Sequence, residues 1–502
     1  MEKPNIVIIM TDQQRADFSA AEGFPLDTTP AVDRLGREGV RFRRAYSSMP
    51  VCAPARCSML SGRFPKATRV RENGGIRNMY CAADLTDVLR DSGYSINLCG
   101  KNHSHLKPEE LDFASLYMHH GAVGGARGHQ DGSGRPPNLS AQEREMDSWL
   151  AGLDHGVSTT PTPFPLECQP PYRVVRDAIE CLENRGDRPF FLWLSFAEPH
   201  NPYQVPEPYF SLFPEDRIPD RAAGPEAAAA KGEKWRWLQN LIREKRPQYE
   251  EQWRRYRANY CGMIRLIDDQ IGRFLEYLAE TKLRESTMII FTSDHGDFAG
   301  DYGLQRKGVE LPECLIRIPL LFTGPGIVAA GQDAFVSIVD IFPTLCEAVG
   351  AAMPDGVQGR SLWPMLRGES WPEEEFRSIY AEHGFGGLHY GEEERPALHF
   401  PYGGPTFDEL NSVTQSGTLK MVRMGRWKLE YDMMGRGRLY DVESDPTELV
   451  DLYRDPELAE AKTQLLEELL KWTIRTEDDL PHGVYVQKRA ERNWYAAHDF
   501  RP

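Results

Sequence analysis

Short unbroken apolar runs alternate with stretches of helical periodicity across the first three quarters of the chain. Residues 5–10, 94–98, 190–196, 288–292 and 319–323 are mainly apolar runs bounded by polar, Gly or Pro residues, with Ser95 and Asn97 interleaved in the second, the pattern of buried strands. Between them, 29–38, 84–92, 173–184 and the long 250–281 carry a helical pattern. Strands that are apolar throughout, rather than alternating, need cover on both faces, and intervening helices supply it. The pattern predicts an α/β fold built on a large, mostly parallel sheet. Ligands of such sheets bind beyond the carboxyl ends of the strands. Asp12, Lys101, His200 and Asp294 each follow one of these runs closely.

The pattern changes after 364–375, a Gly- and Glu-rich stretch that reads as a boundary. We expect an α/β domain over 1–375 and a smaller subdomain over 376–475, followed by a charged, aromatic tail over 476–502. Short strands are predicted within 420–431 and 438–440, then a helix over 457–475. The tail reads either as a surface extension or as an arm gripping a second copy of the chain. Segments 121–138 and 222–232 are biased in composition and read as looped or mobile insertions.

Composition narrows the partners. The 502 residues include 59 Lys and Arg against 75 Asp and Glu, a formal charge of −16. This argues against nucleic acid or an anionic membrane as a partner. Any anion site must then be made locally positive by a metal and a few placed cations. No apolar run approaches the roughly 18 residues that span a bilayer. The run at 6–10 is too short for a signal-peptide core of about 7–15 residues, so a cytoplasmic protein is expected. The nine cysteines are scattered, odd in number and without a CxxC pair, which offers no disulfide framework or structural zinc motif.

Cys52-Ala-Pro-Ala-Arg56, followed by Leu60-Ser-Gly62, resembles the Cys-x-Pro-x-Arg signature of the type I sulfatases in the alkaline phosphatase superfamily. The resemblance implies a mixed, mostly parallel sheet sandwiched by helices. A smaller C-terminal antiparallel subdomain goes with it, matched here by Trp427-Lys-Leu and Leu439-Tyr-Asp-Val-Glu-Ser-Asp-Pro446. It also implies that a maturation enzyme oxidises Cys52 to formylglycine, whose hydrated aldehyde attacks sulfur while Arg56 holds the hydrate. Ala55 departs from the Ser found in many relatives.

The same resemblance assigns Asp12, Gln13, Asp294 and His295 to one metal ion, calcium first and manganese as the alternative. Oxygen donors suit a hard cation, and imidazole tolerates a transition metal. Gln13 stands where many members carry Asp, and His295 where many carry Asn. Gln at the first position also occurs in the related phosphonate monoester hydrolases.

Gly93-Tyr-Ser-Ile-Asn-Leu-Cys-Gly100-Lys101-Asn-His103 resembles the second sulfatase signature. Lys101 would neutralise a sulfate oxygen, and His103 would take the proton that releases sulfate. His200, in Glu198-Pro-His200, would assist the leaving oxygen, and Lys307 would share that role. Asn73 reads either as an amide donor to a substrate oxygen or as an ordinary Asn-Gly turn. Residues 382–410, with His383, His389, Tyr390, His399 and Tyr402, suit a sugar-sized pocket. The expected reaction is release of sulfate from a sulfated saccharide or an aryl sulfate. A phosphonate or phosphodiester hydrolase of the same superfamily is the rival. A glycan-binding protein with a decayed site would have lost ligands or Cys52, and neither loss is seen.

Overall fold

The computed structural model of the chain describes residues 3–122, 138–387, 389–391, 394, 410–477 and 491–494. Among them, nine strands form one sheet: β1 (Asn5–Thr11), β2 (Val40–Tyr46), β3 (Ser95–Gly100), β4 (Phe113–Met118), β5 (Gly121–Ala122), β6 (Phe190–Ser195), β7 (Thr287–Ser293), β8 (Leu320–Thr323) and β9 (Ala330–Ser337). Their order is β5-β4-β3-β6-β1-β7-β8-β2-β9. β1 lies parallel between β6 and β7, with Ile6 opposite Phe191 and Met288. β8 runs antiparallel to both of its neighbours and β5 antiparallel to β4, so the sheet is mixed and mostly parallel, as expected.

Alternate residues of β1 show why its run is unbroken. Ile6, Ile8 and Met10 pack into one buried cluster with Met59, Leu60, Leu89 and Phe342. Val7 and Ile9 pack into another with Val174, Val175, Ile271 and Phe274, from the helices Pro170–Glu183 and Tyr249–Glu280. Each fully buried Ile or Phe contributes about 1.5–3 kcal/mol, so the centre of the sheet is strongly specified. β2 and β9 were not expected. β2 (Val-Arg-Phe-Arg-Arg-Ala-Tyr) is partly exposed and interleaves charge with apolar residues, and β9 begins in exposed polar positions.

A second, antiparallel sheet follows in the order β10 (Ser378–His383), β11 (Leu419–Met424), β12 (Trp427–Asp432) and β13 (Gly437–Asp441). The single run at 420–431 is thus two strands, folded at Gly425 with φ +57°. The helix Ala459–Thr476 covers this sheet. Its Trp472 stacks on Tyr380 and meets the edge of Phe64, so the smaller sheet and the larger one share a core.

The expectation of a looped insertion over 222–232 holds for 222–226, which are turns and bends, and fails beyond. Ala227–Lys231 is a short helix with Ala227 and Ala228 buried, and Lys231 reaches Glu448 at 3.3 Å. Ala227 and Ala228 are small because they pack, while Ala229 and Ala230 face solvent. Most of 121–138 lies outside the described residues, as does all of the tail beyond 477 except 491–494. There Asn493 donates to the carbonyls of Val357 and Gly359, and Trp494 donates to that of Ser361. Among the described residues, no helix is long and apolar enough to cross a membrane.

Candidate active site

The carboxyl ends of the central strands carry the expected residues to one place. Asp12 and Gln13 leave β1, Asp294 and His295 leave β7, Lys101 leaves β3, and His200 lies five residues past β6. Cys52 opens the helix Cys52–Ser61, which ends at Gly62 in the left-handed conformation that glycine adopts without strain. Asn73 Oδ1 accepts from the Ala53 amide at 3.1 Å and so completes the start of this helix. That oxygen is engaged within the protein, which makes Asn73 a support for the Cys52 turn.

Four potential ligand atoms, from Asp12, Cys52, Asp294 and His295, lie within 4.8 Å of one another, and all four residues are buried. Cys52 Sγ is 3.3 Å from His295 Nε2 and 3.7 Å from Asp12 Oδ1. His295 Nδ1 donates to the Gly296 carbonyl at 2.8 Å, which turns Nε2 inward, its lone pair open to a cation when the ring is neutral. Two carboxylates and that lone pair form a donor set that fits a divalent cation.

Three fixed cations surround the set. Arg56, fully buried, donates to Asp294 Oδ2 at 2.8 Å, approaches Asp12 Oδ2 at 3.5 Å and also donates to Ser195 Oγ at 2.8 Å. Lys101 pairs with Asp12 and donates to His119 Nε2 at 3.2 Å. Lys307 donates to Gln13 Oε1 at 2.9 Å. It sits on a loop in which Arg306 and Glu310 have positive φ, strain of the kind held at functional sites. Three cations against Asp12 and Asp294 make the site locally positive in a chain of charge −16.

This charge sets the protonation states. Burial alone would raise the Asp12 carboxyl, but Lys101, Arg56 and Lys307 hold it well below the usual range. Burial and Asp12 would likewise raise the Cys52 thiol, and Lys101, Lys307 and His295 bring it down to about 6. Burial opposes a proton on His295, yet Asp294 and Cys52 raise its affinity for one. Burial, His119, Lys307 and Lys101 push His200 well below its ordinary value. Its Nδ1 donates to the Asn201 carbonyl at 3.0 Å, which leaves Nε2 bare.

The sequence reading missed several members. His119, directly after β4, stacks on His200 with ring centroids 3.6 Å apart and planes 13° apart. It accepts from Lys101, and His103, with φ +42°, is close enough to weigh against its protonation. Asp297, Tyr203 and Tyr256 form a polar cluster behind Gln13. A cavity of about 690 Å³ lies elsewhere, between the helix Glu233–Lys245 and the β12–β13 hairpin. It is lined by Trp237, Tyr390 and Tyr453, and by Glu310 from the loop that carries Lys307. His383 is buried in β10, His389 lines the same cavity, and His399 and Tyr402 lie outside the described residues.

Known proteins share this arrangement of chain. The arylsulfatase of Clostridium perfringens is 29% identical, with 97% of this chain and 98% of that protein covered. The multifunctional alkaline phosphatase superfamily protein PehA of Trinickia caryophylli is also 29% identical, with 95% and 96% covered. The crystal structure of the phosphonate monoester hydrolase of Agrobacterium radiobacter matches with a TM-score of 0.76 at 26% identity, over 94% of this chain and 96% of that one. The sulfatase family model matches residues 4–351, which include every expected site residue from Asp12 to Lys307. The chain belongs to the sulfatase family and is a hydrolase of that family.

Proposed function

We propose that this hydrolase releases inorganic sulfate from a sulfated saccharide or an aryl sulfate, using formylglycine made from Cys52 and a divalent cation, calcium before manganese. The observation that carries the reading is the pair Lys101 and Lys307 flanking a buried Asp12–Cys52–Asp294–His295 cluster. Oxidation of Cys52 would supply a hydrated-aldehyde hydroxyl as nucleophile where Sγ now stands. Asp12, Gln13, Asp294 and His295 would hold the cation, which supplies positive charge toward the sulfate oxygens.

The chain's own groups do the rest. Lys101 and Lys307 are preorganised donors for the charge that builds on the sulfate oxygens. Arg56 fixes Asp294 and reaches Asp12, keeping both carboxylates turned toward residue 52. His200 is kept neutral with Nε2 bare before substrate binds, so the Lys307 ammonium is the group that already holds a proton for the leaving oxygen. His103 is the base for the proton on residue 52 when sulfate departs.

A second reading, phosphonate or phosphodiester hydrolysis, is favoured by Gln13 and by the likeness to the phosphonate monoester hydrolase. Two measurements decide. Protein co-expressed with a formylglycine-generating enzyme should yield a Cys52 peptide with the mass of the aldehyde or its hydrate. That protein should show higher kcat/KM on an aryl sulfate than on the matched phosphonate or phosphodiester. An unmodified thiol in active enzyme overturns the mechanism, and a preference for the phosphorus esters overturns the substrate class.

A further inference from the structure

Gln13 is the least expected member of the cation site, and its surroundings show how a neutral residue is held there. Its backbone is pinned at φ +72°, with the amide donating to Asp294 Oδ1 at 3.0 Å and the carbonyl accepting from Tyr260 at 2.6 Å. Its side-chain amide is polarised in one direction. Nε2 donates backwards to Asp297 Oδ2 at 2.6 Å and to Tyr203 at 3.3 Å, while Oε1 faces forward and accepts from Lys307 at 2.9 Å.

Asp297 is fully buried and surrounded by donors. Its Oδ1 accepts from the amides of Ala299 at 2.6 Å and Arg306 at 3.1 Å and from Tyr256. Its Oδ2 accepts from Gln13 and, at 2.9 Å, from Tyr203. Five donors thus converge on its two oxygens and fix the carboxyl group against the Gln13 amide. An aspartate at position 13 would turn an oxygen toward this carboxyl group, setting acceptor against acceptor in a fully buried place.

We propose that Asp297 is a positioning residue of the cation site: it orients the Gln13 amide so that Oε1 faces the cation, and it makes Gln the matched residue at position 13. A carboxylate thus stands one side chain behind the ligand position instead of in it. The inference rests on the reading of Asp12, Gln13, Asp294 and His295 as a cation site.

The test compares wild type with Asp297→Asn, Gln13→Asp and the double variant Gln13→Asp/Asp297→Asn. Calcium and manganese are titrated calorimetrically into each full-length protein, and melting is followed in EDTA. Each single variant should bind calcium roughly 10–100-fold more weakly, the usual cost of losing a supporting partner of a ligand. This includes Gln13→Asp, although it adds a negative charge. The double variant should recover to within about threefold of wild type. In EDTA, Gln13→Asp should melt below wild type and the double variant should regain much of the loss. Calcium binding by Gln13→Asp as tight as wild type, or a double variant no better than the singles, overturns the proposal. A folded wild type that binds neither metal overturns the cation reading and with it the cation-facing role of Gln13. The melting series in EDTA then still decides whether Gln13 is matched to Asp297.

Discussion

Beneath the small sheet, Lys231, Arg423, Lys428 and Arg438 meet Glu310, Glu313, Glu430 and Glu448 in a largely buried network. At the end of the large sheet, Arg56, Lys101 and Lys307 crowd around only Asp12 and Asp294. In the first cluster the signs balance, four against four. Lys428 pairs with Glu448 and lies 3.7 and 3.8 Å from Glu313 and Glu430, and Arg438 is 2.8 Å from Glu310 and 3.3 Å from Glu430. In the second the cations outnumber the carboxylates, and Cys52 Sγ lies 3.3 Å from His295 Nε2. A balanced buried network ties parts together and asks for nothing more. A gathered donor set offers a cation its ligands, and an excess of fixed positive charge stores binding energy for an anionic substrate.

The comparison breaks first at Lys428. It is fully buried, and Lys428→Ala strands Glu448 and its neighbours, so we expect a loss of about 3–5 kcal/mol of stability, read by urea unfolding. The kcat of the fraction still folded should stay within about twofold of wild type, because nothing in this network touches residue 52. A variant with unchanged stability but lost turnover would mean that the network belongs to the catalytic apparatus.

Lys307 should behave in the opposite way. Lys307→Met removes one of three like charges, so the melting temperature in EDTA should hold or rise. The kcat/KM on an aryl sulfate should fall about 10²–10³-fold, the scale for one preorganised donor. A large loss of stability would class Lys307 with Lys428 and remove the distinction.

A smaller effect is expected at His119, which touches both the Lys101 ammonium and the His200 ring. His119→Phe keeps a stacking surface but loses the acceptor, whereas His119→Gln keeps an acceptor but loses the stack. Each should cost roughly tenfold in kcat/KM, within the range for a hydrogen bond to a charged group or an aromatic pair. The phenylalanine variant should mainly weaken inhibition by sulfate, through Lys101. The glutamine variant should mainly steepen the dependence on leaving-group pKa, through His200. Identical profiles for the two would reduce His119 to packing.

How much of this was readable in advance follows from the same contrast. β1, β6 and β7 announce themselves because a strand packed on both faces is almost wholly apolar, and β3 shows through Tyr94, Ile96 and Leu98 despite Ser95 and Asn97. β2 and β9 do not, since exposed positions break their apolar runs. The site was readable where chemistry is concentrated in short motifs, as at Cys52 to Arg56, Lys101 to His103 and Asp294 to His295. Asp297 stands two residues past the last of these, but its partners Tyr203 and Tyr256 are 94 and 41 residues away along the chain. Nothing local marks it as more than a turn residue. His119 was hidden because β4 was not anticipated, and without the strand there is no carboxyl end on which to place it. The Lys428 network was equally hidden, since eight charges from four separate segments look like ordinary surface until they are folded together.

Two buried glutamates refine the comparison at its smallest scale. Burial would raise Glu448, but Lys428 and Lys231 draw it below the ordinary carboxyl range, so it is charged and bound. Glu198, whose carbonyl accepts from the Asp12 amide, is equally buried, and its Oε2 has no partner among the described residues. Burial pushes it up to about 7. In the unfolded chain it should titrate near about 4.3. Between those values the folded state binds the proton and the unfolded state does not. The neutral acid's stabilising contribution is thus fully present below about pH 4.3 and is lost as pH rises through about 7. Glu198→Gln, permanently neutral, should remove this decline, so its melting temperature should gain on wild type between pH 5 and pH 8, with both proteins in EDTA. If the gap instead stays constant or closes with rising pH, Glu198 is ionised in the fold, and an acid beside the cation site is held charged as Glu448 is.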